Sequence, residues 1–183
     1  MALKGSPTRD VLYFAALALA YSGEDARAQA LAEDLSTRFP EDTLVQFNYL
    51  PTLQAKIALD KGNASEAIER LNAAAPYELG ISTKSPFNWT AMYPVFVRGE
   101  TYLAAHQGRE AAAEFQKILD HRGIVLNQPI GALAHLGLAR AYVLQGETAK
   151  ARAAYQDFLS LWKDADPDIR ILKQAKVEYA KLN

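Results

Sequence analysis

With 183 residues, half of them hydrophobic, the chain is long enough to bury one core or one short solenoid and too apolar to be disordered along its length. A formal net charge of -1 removes any general electrostatic drive toward nucleic acid or an anionic membrane surface. The absence of cysteine excludes disulfides, thiolate metal sites and cysteine nucleophiles. Abundant alanine and sparse β-branched residues favour packed helices over sheet.

Residues 1–8 read as an untethered lead-in. The run VLYFAALALAY (11–21) follows Lys4 and Arg9, and Ala18–Ala20 has the form of a signal-peptidase site. Asp10 abuts that run, and Gly23 then leads into the amphipathic stretch ARAQALAEDL, so a buried helix is the better reading. No run reaches the roughly 20 apolar residues needed to span a bilayer, so no direct membrane insertion is expected. The next helix, Thr43 to about Asp60, is long and contains Pro51, which predicts a kink or a start shifted toward Thr52. A loop over 76–90 carries Gly80 and Pro86, together with Tyr77, Phe87 and Trp89. The connection HRGIVLNQPI (121–130) ends with Pro129 placed as a first helical residue. Asp166, with Pro167 behind it, reads as the N-cap of a last amphipathic helix over IRILKQAKVEYAKL. In that helix Ile169, Leu172, Val177 and Tyr179 are the expected apolar contacts, and Arg170, Lys173, Lys176 and Glu178 the polar ones.

Four small residues, Ala28, Ala67, Ala111 and Ala151, recur at intervals of 39, 44 and 40 residues. Each follows a glycine turn (Gly23, Gly62, Gly108, Gly146) and precedes apolar residues at helical spacing, such as Phe115 and Ile118 or Tyr155 and Phe158. Repetition of this kind decides the fold class before any single element does. The fourth unit, with Leu138, Ala139, Tyr142, Gly146, Ala151, Tyr155 and Phe158, resembles the tetratricopeptide repeat closely. The third matches through Gly99, Tyr102, Ala111, Phe115 and Ile118, with a turn about two residues short. The first matches through Ala16, Ala28, Ala32, Leu35 and Pro40, and the second only through Ala55, Ala67 and Leu71. Against a repeat of 34 residues the three intervals carry excesses of about 5, 10 and 6 residues.

The resemblance implies an all-α, right-handed superhelix of four hairpins plus a C-terminal capping helix. The hairpins fall at about 9–40, 42–76, 91–120 and 129–163, and the capping helix at about 167–181, in one domain over 9–183. Several phrases, among them FPEDTLVQFNYLPT (39–52), YPVFVRGETYLA (93–104) and LWKDADPDI (161–169), resemble the C-terminal repeat region of bacterial serine/threonine protein kinases, acidobacterial ones especially. The kinase's own glycine-rich loop, HRD and DFG signatures are not in this sequence, so any kinase chemistry is expected upstream of Met1.

Nothing local argues for catalysis, a cofactor or a metal. His106, His121 and His135 lack any metal-ligand spacing, and two of them sit near helix ends, where imidazole suits exposed carbonyls. DADPD (164–168) echoes a calcium loop, but Ile169 stands where that loop needs glycine and Ala175 where it needs glutamate. Asn63-Ala64-Ser65 and Asn88-Trp89-Thr90 fit the N-glycosylation pattern; at Asn63, turn and cap chemistry explain the residues better.

In repeats of this kind the first helices line a concave groove. That geometry puts Tyr13, Leu17, Tyr49, Thr52 and Lys56, then Tyr93, Phe96 and Glu100, then Leu136, Arg140 and Val143, on its wall. The set is aromatic and aliphatic with isolated charges. It suits an extended peptide or an amphipathic helix, and it does not resemble the Lys/Asn/Arg clamp that captures acidic C-termini. The competing reading is self-packing, with the 76–90 loop filling the groove; a third is an interface to an upstream domain or a second copy of the chain. The expected function is therefore protein or peptide binding by a non-catalytic scaffold or sensor module of a bacterial signalling protein, cytoplasmic unless a membrane span precedes the region. The regulatory arm of a transcriptional activator and a helical-repeat enzyme are the alternative classes. The missing basic face argues that the chain itself does not touch nucleic acid.

Overall fold

The computed structural model describes residues 7–80 and 91–182. Among these residues all regular structure is helical and the helices pair as hairpins, which is the all-α class expected of tetratricopeptide-like repeats. Most of the 76–90 loop, with Phe87, Trp89 and the Asn88 sequon, lies outside the described residues, as do Met1–Ser6 of the lead-in. The chain forms two compact units, 1–97 and 98–183.

In the first unit α1 (Arg9–Tyr21) and α2 (Asp25–Arg38) form one hairpin. Thr8 caps α1 through its hydroxyl, and α1 buries Leu12, Tyr13, Ala16, Leu17 and Ala20. Ala28 of α2 packs against Ala20 and Ile57, all nearly free of solvent. The second hairpin pairs α3 (Leu50–Asp60) with α4 (Ala64–Asn72). Asn63 caps α4 by accepting from the Glu66 N–H at 3.3 Å, and its side-chain Nδ2 donates to the Glu66 carboxylate at 2.9 Å. Ala67 and Leu71 then pack on Ala55, Ala58 and Val97.

Pro51 neither starts the helix nor breaks it. The chain is already helical from residue 43, where Asp42 accepts from the Leu44 and Val45 N–H groups at 3.0 and 3.1 Å. It then widens into a π-turn over Val45–Tyr49 before α3 begins, with the Leu50 N–H bonded to the Val45 carbonyl. Proline cannot donate to the carbonyl four residues back, and a wider turn upstream accommodates the missing bond without ending the helix. The Thr52 hydroxyl adds a donor, reaching the Asn48 carbonyl at 2.6 Å.

Helix α5 (Tyr93–Ala104) contributes its first residues to the first unit and the remainder to the second. The second unit continues with α6 (Gly108–Asp120), the short α7 (Arg122–Val125), α8 (Pro129–Leu144), α9 (Thr148–Leu161) and α10 (Arg170–Ala180). Its packing centres on Phe115. A Cβ at Gly99 would come within 2.7 Å of that ring, and one at Gly137 within 2.5 Å. The ring is thus seated directly on the backbones of α5 and α8. Arg98 bridges to Glu114 at 2.7 Å alongside, with both side chains largely buried.

The turn of the third repeat corrects the reading from sequence. Gly23, Gly62 and Gly146 hold left-handed backbones (φ 80, 79 and 73°), each five residues ahead of the small residue of the following helix. At the same offset from Ala111 stands His106, with φ 57°. Gly108 is instead the first residue of α6, and a Cβ there would meet the Ala141 carbonyl oxygen and Leu144 Cβ at 2.9 Å. Its glycine serves close approach, and the Gln145 amide donates to its carbonyl at 2.9 Å.

The N-terminus of α10 also differs from expectation. Asp166 accepts from the Asp168 N–H at 2.9 Å in a turn of its own, and α10 begins at Arg170 without a side-chain cap. Its inner face is Leu172, Ala175 and Glu178 rather than Val177, which is 57% exposed.

Two substitutions test these contacts. His106→Gly removes a left-handed non-glycine residue whose side chain is exposed, so urea unfolding is expected to show a gain of about 0.5–1 kcal/mol. Gly137→Ala overpacks Phe115, which Gly99 keeps from retreating; a cost of about 1–3 kcal/mol exceeds the roughly 1 kcal/mol that alanine returns in helix propensity. Its destabilisation should shrink when Phe115→Leu is combined with it, read as a double-mutant cycle by urea denaturation.

Candidate functional site

The residues expected on a groove wall of the first unit pack on one another instead. The Tyr13 and Tyr49 rings stack at 3.8 Å with planes 2° apart. Tyr93 meets Tyr13 edge-on at 6.4 Å and Phe14 edge-on at 5.3 Å. The Tyr49 hydroxyl donates to Asp10 at 2.8 Å, and the Asn48 amide to the Ala91 carbonyl at 2.9 Å. Burial, and then the neighbouring Asp10 carboxylate, hold the Tyr49 phenol far above its ordinary range, so it remains a donor. Burial pushes the Tyr93 phenol up to about 12. Leu17, Thr52 and Phe96 are buried as well, and Lys56 is covered by an ion pair with Asp60 and by the Tyr21 ring 4.7 Å from its Nζ. Tyr13, Tyr49 and Tyr93 thus form a closed aromatic cluster with Phe14, and Thr52 and Phe96 are buried, so none of these five stands as an open anchor. The reason is that aromatic rings on adjacent first helices gain more from each other than from water.

In the second unit Leu136 is buried, Glu100 is half-buried and Val143 is exposed. Arg140 is committed elsewhere. Its Nε and Nη2 donate to the two carboxylate oxygens of Glu178 at 2.9 and 3.0 Å, and the Tyr155 hydroxyl donates to the same carboxylate at 2.9 Å. Burial first, and then Glu178, hold the Tyr155 phenol above its ordinary range, which preserves it as a donor. A planar fork plus a phenol is a specific reader of carboxylate geometry. The sequence placed Arg140 at a binding position but put Glu178 on the wet face of its helix.

A second feature was missed altogether. The excess residues between α6 and α8 form α7 and a tight turn, and they open a cleft of about 620 Å³ over the ends of α6 and α9. This volume is in the range of ordinary ligand sites. Its floor is Ile118, Val125 and Ala132; Leu126 and Leu161 stand at its edge, 53% and 60% exposed. Leu126 closes α7 at φ 54°, ψ -128°, a backbone that glycine favours and leucine tolerates only under strain. Exposed Arg122 has no carboxylate partner among the described residues. His135 lies inside the cleft with Nδ1 3.5 Å from Asp157. The advance signal was the interval of 40 residues where 34 is usual, with its excess in the 121–130 connection, which told of extra residues and not of a cleft.

His121 behaves as its helix-end position suggested, with Nδ1 2.7 Å from the Lys117 carbonyl. Among the described residues no group of three His, Cys, Asp or Glu is placed to hold a metal ion, and no helix is long and apolar enough to cross a membrane.

Burial lowers the His135 pKa below its ordinary value of 6.5, outweighing Asp157, which raises it, while Arg122 adds to the lowering. The unfolded chain therefore binds this proton more readily than the folded one. The stability contribution is present above pH 6.5 and is lost as the pH falls below it. Thermal melts at pH 7.5 and 5.5 are expected to show a smaller drop for His135→Gln than for the wild type.

Residues 96–168, from within α5 to beyond α9, match the tetratricopeptide repeat family. Searches of curated proteins and of solved structures return no match to this chain. Tetratricopeptide repeats generally mediate protein–protein interaction, and that is the class of activity to which the matched hairpins point.

Proposed function

We propose that this chain is a non-catalytic protein–protein interaction module, a scaffold or sensor region of a larger bacterial signalling protein. The observation that carries the reading is the pair of tetratricopeptide-type hairpins over 96–168 with a strained, apolar cleft inserted between them. An exposed leucine held in a glycine-type backbone is costly to keep for packing alone, and strain of this kind concentrates where a chain meets a ligand. Leu126, Leu161 and Trp162 offer apolar contact for a peptide or protein side chain, with Arg122 as a charged point at the edge. The larger protein is proposed to be a serine/threonine kinase, on the resemblance of phrases such as FPEDTLVQFNYLPT and LWKDADPDI. In that setting the phosphoryl-transfer chemistry belongs to another domain, this region needs no cofactor, and it faces the cytoplasm unless a span precedes it.

Leu126→Gly separates function from folding. Relief of strain is expected to raise the unfolding free energy by about 1 kcal/mol, while removal of the exposed anchor weakens binding. Affinity capture from a bacterial lysate with the wild type, Leu126→Gly and Leu161→Asp should give partners that the two variants lose. The same partners in equal yield on all three proteins, or none on the wild type, would sink the cleft as the binding surface. Sequencing the gene upstream of Met1 tests the kinase setting independently.

A further inference from the structure

Helix α10 is held unlike its neighbours in the second unit. It has 11 residues, no side-chain N-cap, and only two fully buried side chains, Leu172 and Ala175. Glycines aside, α6 buries three, α9 four and α8 six. A free helix of this length is marginal in water, so α10 depends on its contacts. Those contacts lie along one stripe at steps of three residues: Leu172, Ala175, then Glu178. Beyond the stripe, the Gln156 amide donates to the Tyr179 hydroxyl at 2.8 Å, Tyr179 makes a tilted contact with Tyr155 at 6.1 Å, and Lys173 pairs with Asp168 of the linker at 2.7 Å.

The receiving side is more specific than a cover requires. Arg140 and Tyr155, from two different helices, converge three donors on a single carboxylate. Arg140 and Glu178 are each about one-third exposed, 32% and 33%, and a pair in that setting adds little to stability. What a bidentate fork adds there is discrimination for a planar carboxylate over other groups. The segment 162–169 joining α9 to α10 spans up to about 26 Å when extended, enough for α10 to leave without unfolding the hairpin.

We propose that the surface of α8 and α9 beneath α10 is a receptor for an amphipathic helix that presents one carboxylate at a fixed position, and that α10 is its occupant in cis. The partner is a helix carrying an aliphatic residue, a small residue and a carboxylate at successive three-residue steps, the pattern of Leu172, Ala175 and Glu178. Binding proceeds by exchange: the partner's carboxylate takes the Arg140 and Tyr155 donors, and α10 swings out on its linker. The proposal rests on the reading of the chain as an interaction module and names one class of partner for it. It uses a surface distinct in residues from the cleft beside α7.

The probe is a fluorescent peptide with the sequence of residues 166–183, and a second peptide carrying Glu178→Gln. Both are titrated by anisotropy against the full wild-type chain, full-chain Glu178→Ala, and full-chain Glu178→Ala with Arg140→Lys. The Glu peptide is expected to bind Glu178→Ala at least tenfold more tightly than it binds the wild type, in which the cis helix competes. At least tenfold is expected to be lost when the peptide carries Gln or when Lys replaces the Arg140 fork. Equal affinity of the two peptides, or no binding to Glu178→Ala, overturns the proposal. Hydrogen exchange on the wild-type chain gives a check that depends on no variant. The α10 amides are expected to exchange at least a hundredfold faster than the central amides of α8, and exchange at the same rate also overturns it. If these assays fail while Leu126-dependent partners are retained, the interaction reading stands and only this receptor falls.

Discussion

Close approach of one helix backbone to the next is the condition on which each unit rests. It is met by side chains of one carbon or none. Ala28, Ala67, Ala111 and Ala151 are all fully buried, each on the second helix of its hairpin. In the second unit the condition is at its most demanding, because Phe115 presses its ring onto α5 and α8 where both lack a Cβ. A large ring filling the space that two glycines leave gives close-packed contact without a cavity, and it fixes the register of three helices at once. Larger residues at those points would force the helices apart, and the buried ion pair of Arg98 with Glu114 would be stretched with them.

This constraint explains what sequence could and could not reveal. Small residues at a fixed offset from a turn are a backbone requirement, and backbone requirements are written into residue type. That is why the second helices and three of the four left-handed turns were readable. The third turn failed because glycine has two uses. At Gly108 it makes room for Ala141 and Leu144, while the left-handed position two residues earlier is held by His106 at a cost. Aromatic residues on first helices left two readings open for a related reason. A period of three or four places Tyr13, Tyr49 and Tyr93 on one side of their helices, but periodicity does not say whether that side meets solvent or another ring. The stack at 3.8 Å supplies the answer. Glu178 was read as a solvated charge because its partners, Arg140 and Tyr155, lie 38 and 23 residues away in sequence.

The two candidate surfaces of the second unit make different use of the same repeat. One arises by insertion: residues added between α6 and α8 cannot join the regular packing, so they fold back as α7 and leave a cleft with a strained leucine at its edge. The other arises where regular packing stops, since the last hairpin still offers an apolar and polar face, which α10 covers. Neither surface requires a change in the hairpins themselves. A repeat scaffold can in this way acquire specificity at its irregular points while its core stays fixed by alanine and glycine.

The wide turn over Val45–Tyr49 has a consequence for how this chain is compared with others. Each turn of that kind holds one residue more than an α-turn, so the phase of the helix slips by about 100° across it. Side chains before residue 45 and after residue 49 therefore do not belong to one continuous helical wheel. An alignment that runs a regular repeat straight through 43–60 assigns every residue on one side of the slip to the wrong face. Placing a single-residue gap within 45–49 restores the phase, and it accounts for one of the extra residues by which this repeat exceeds the usual length.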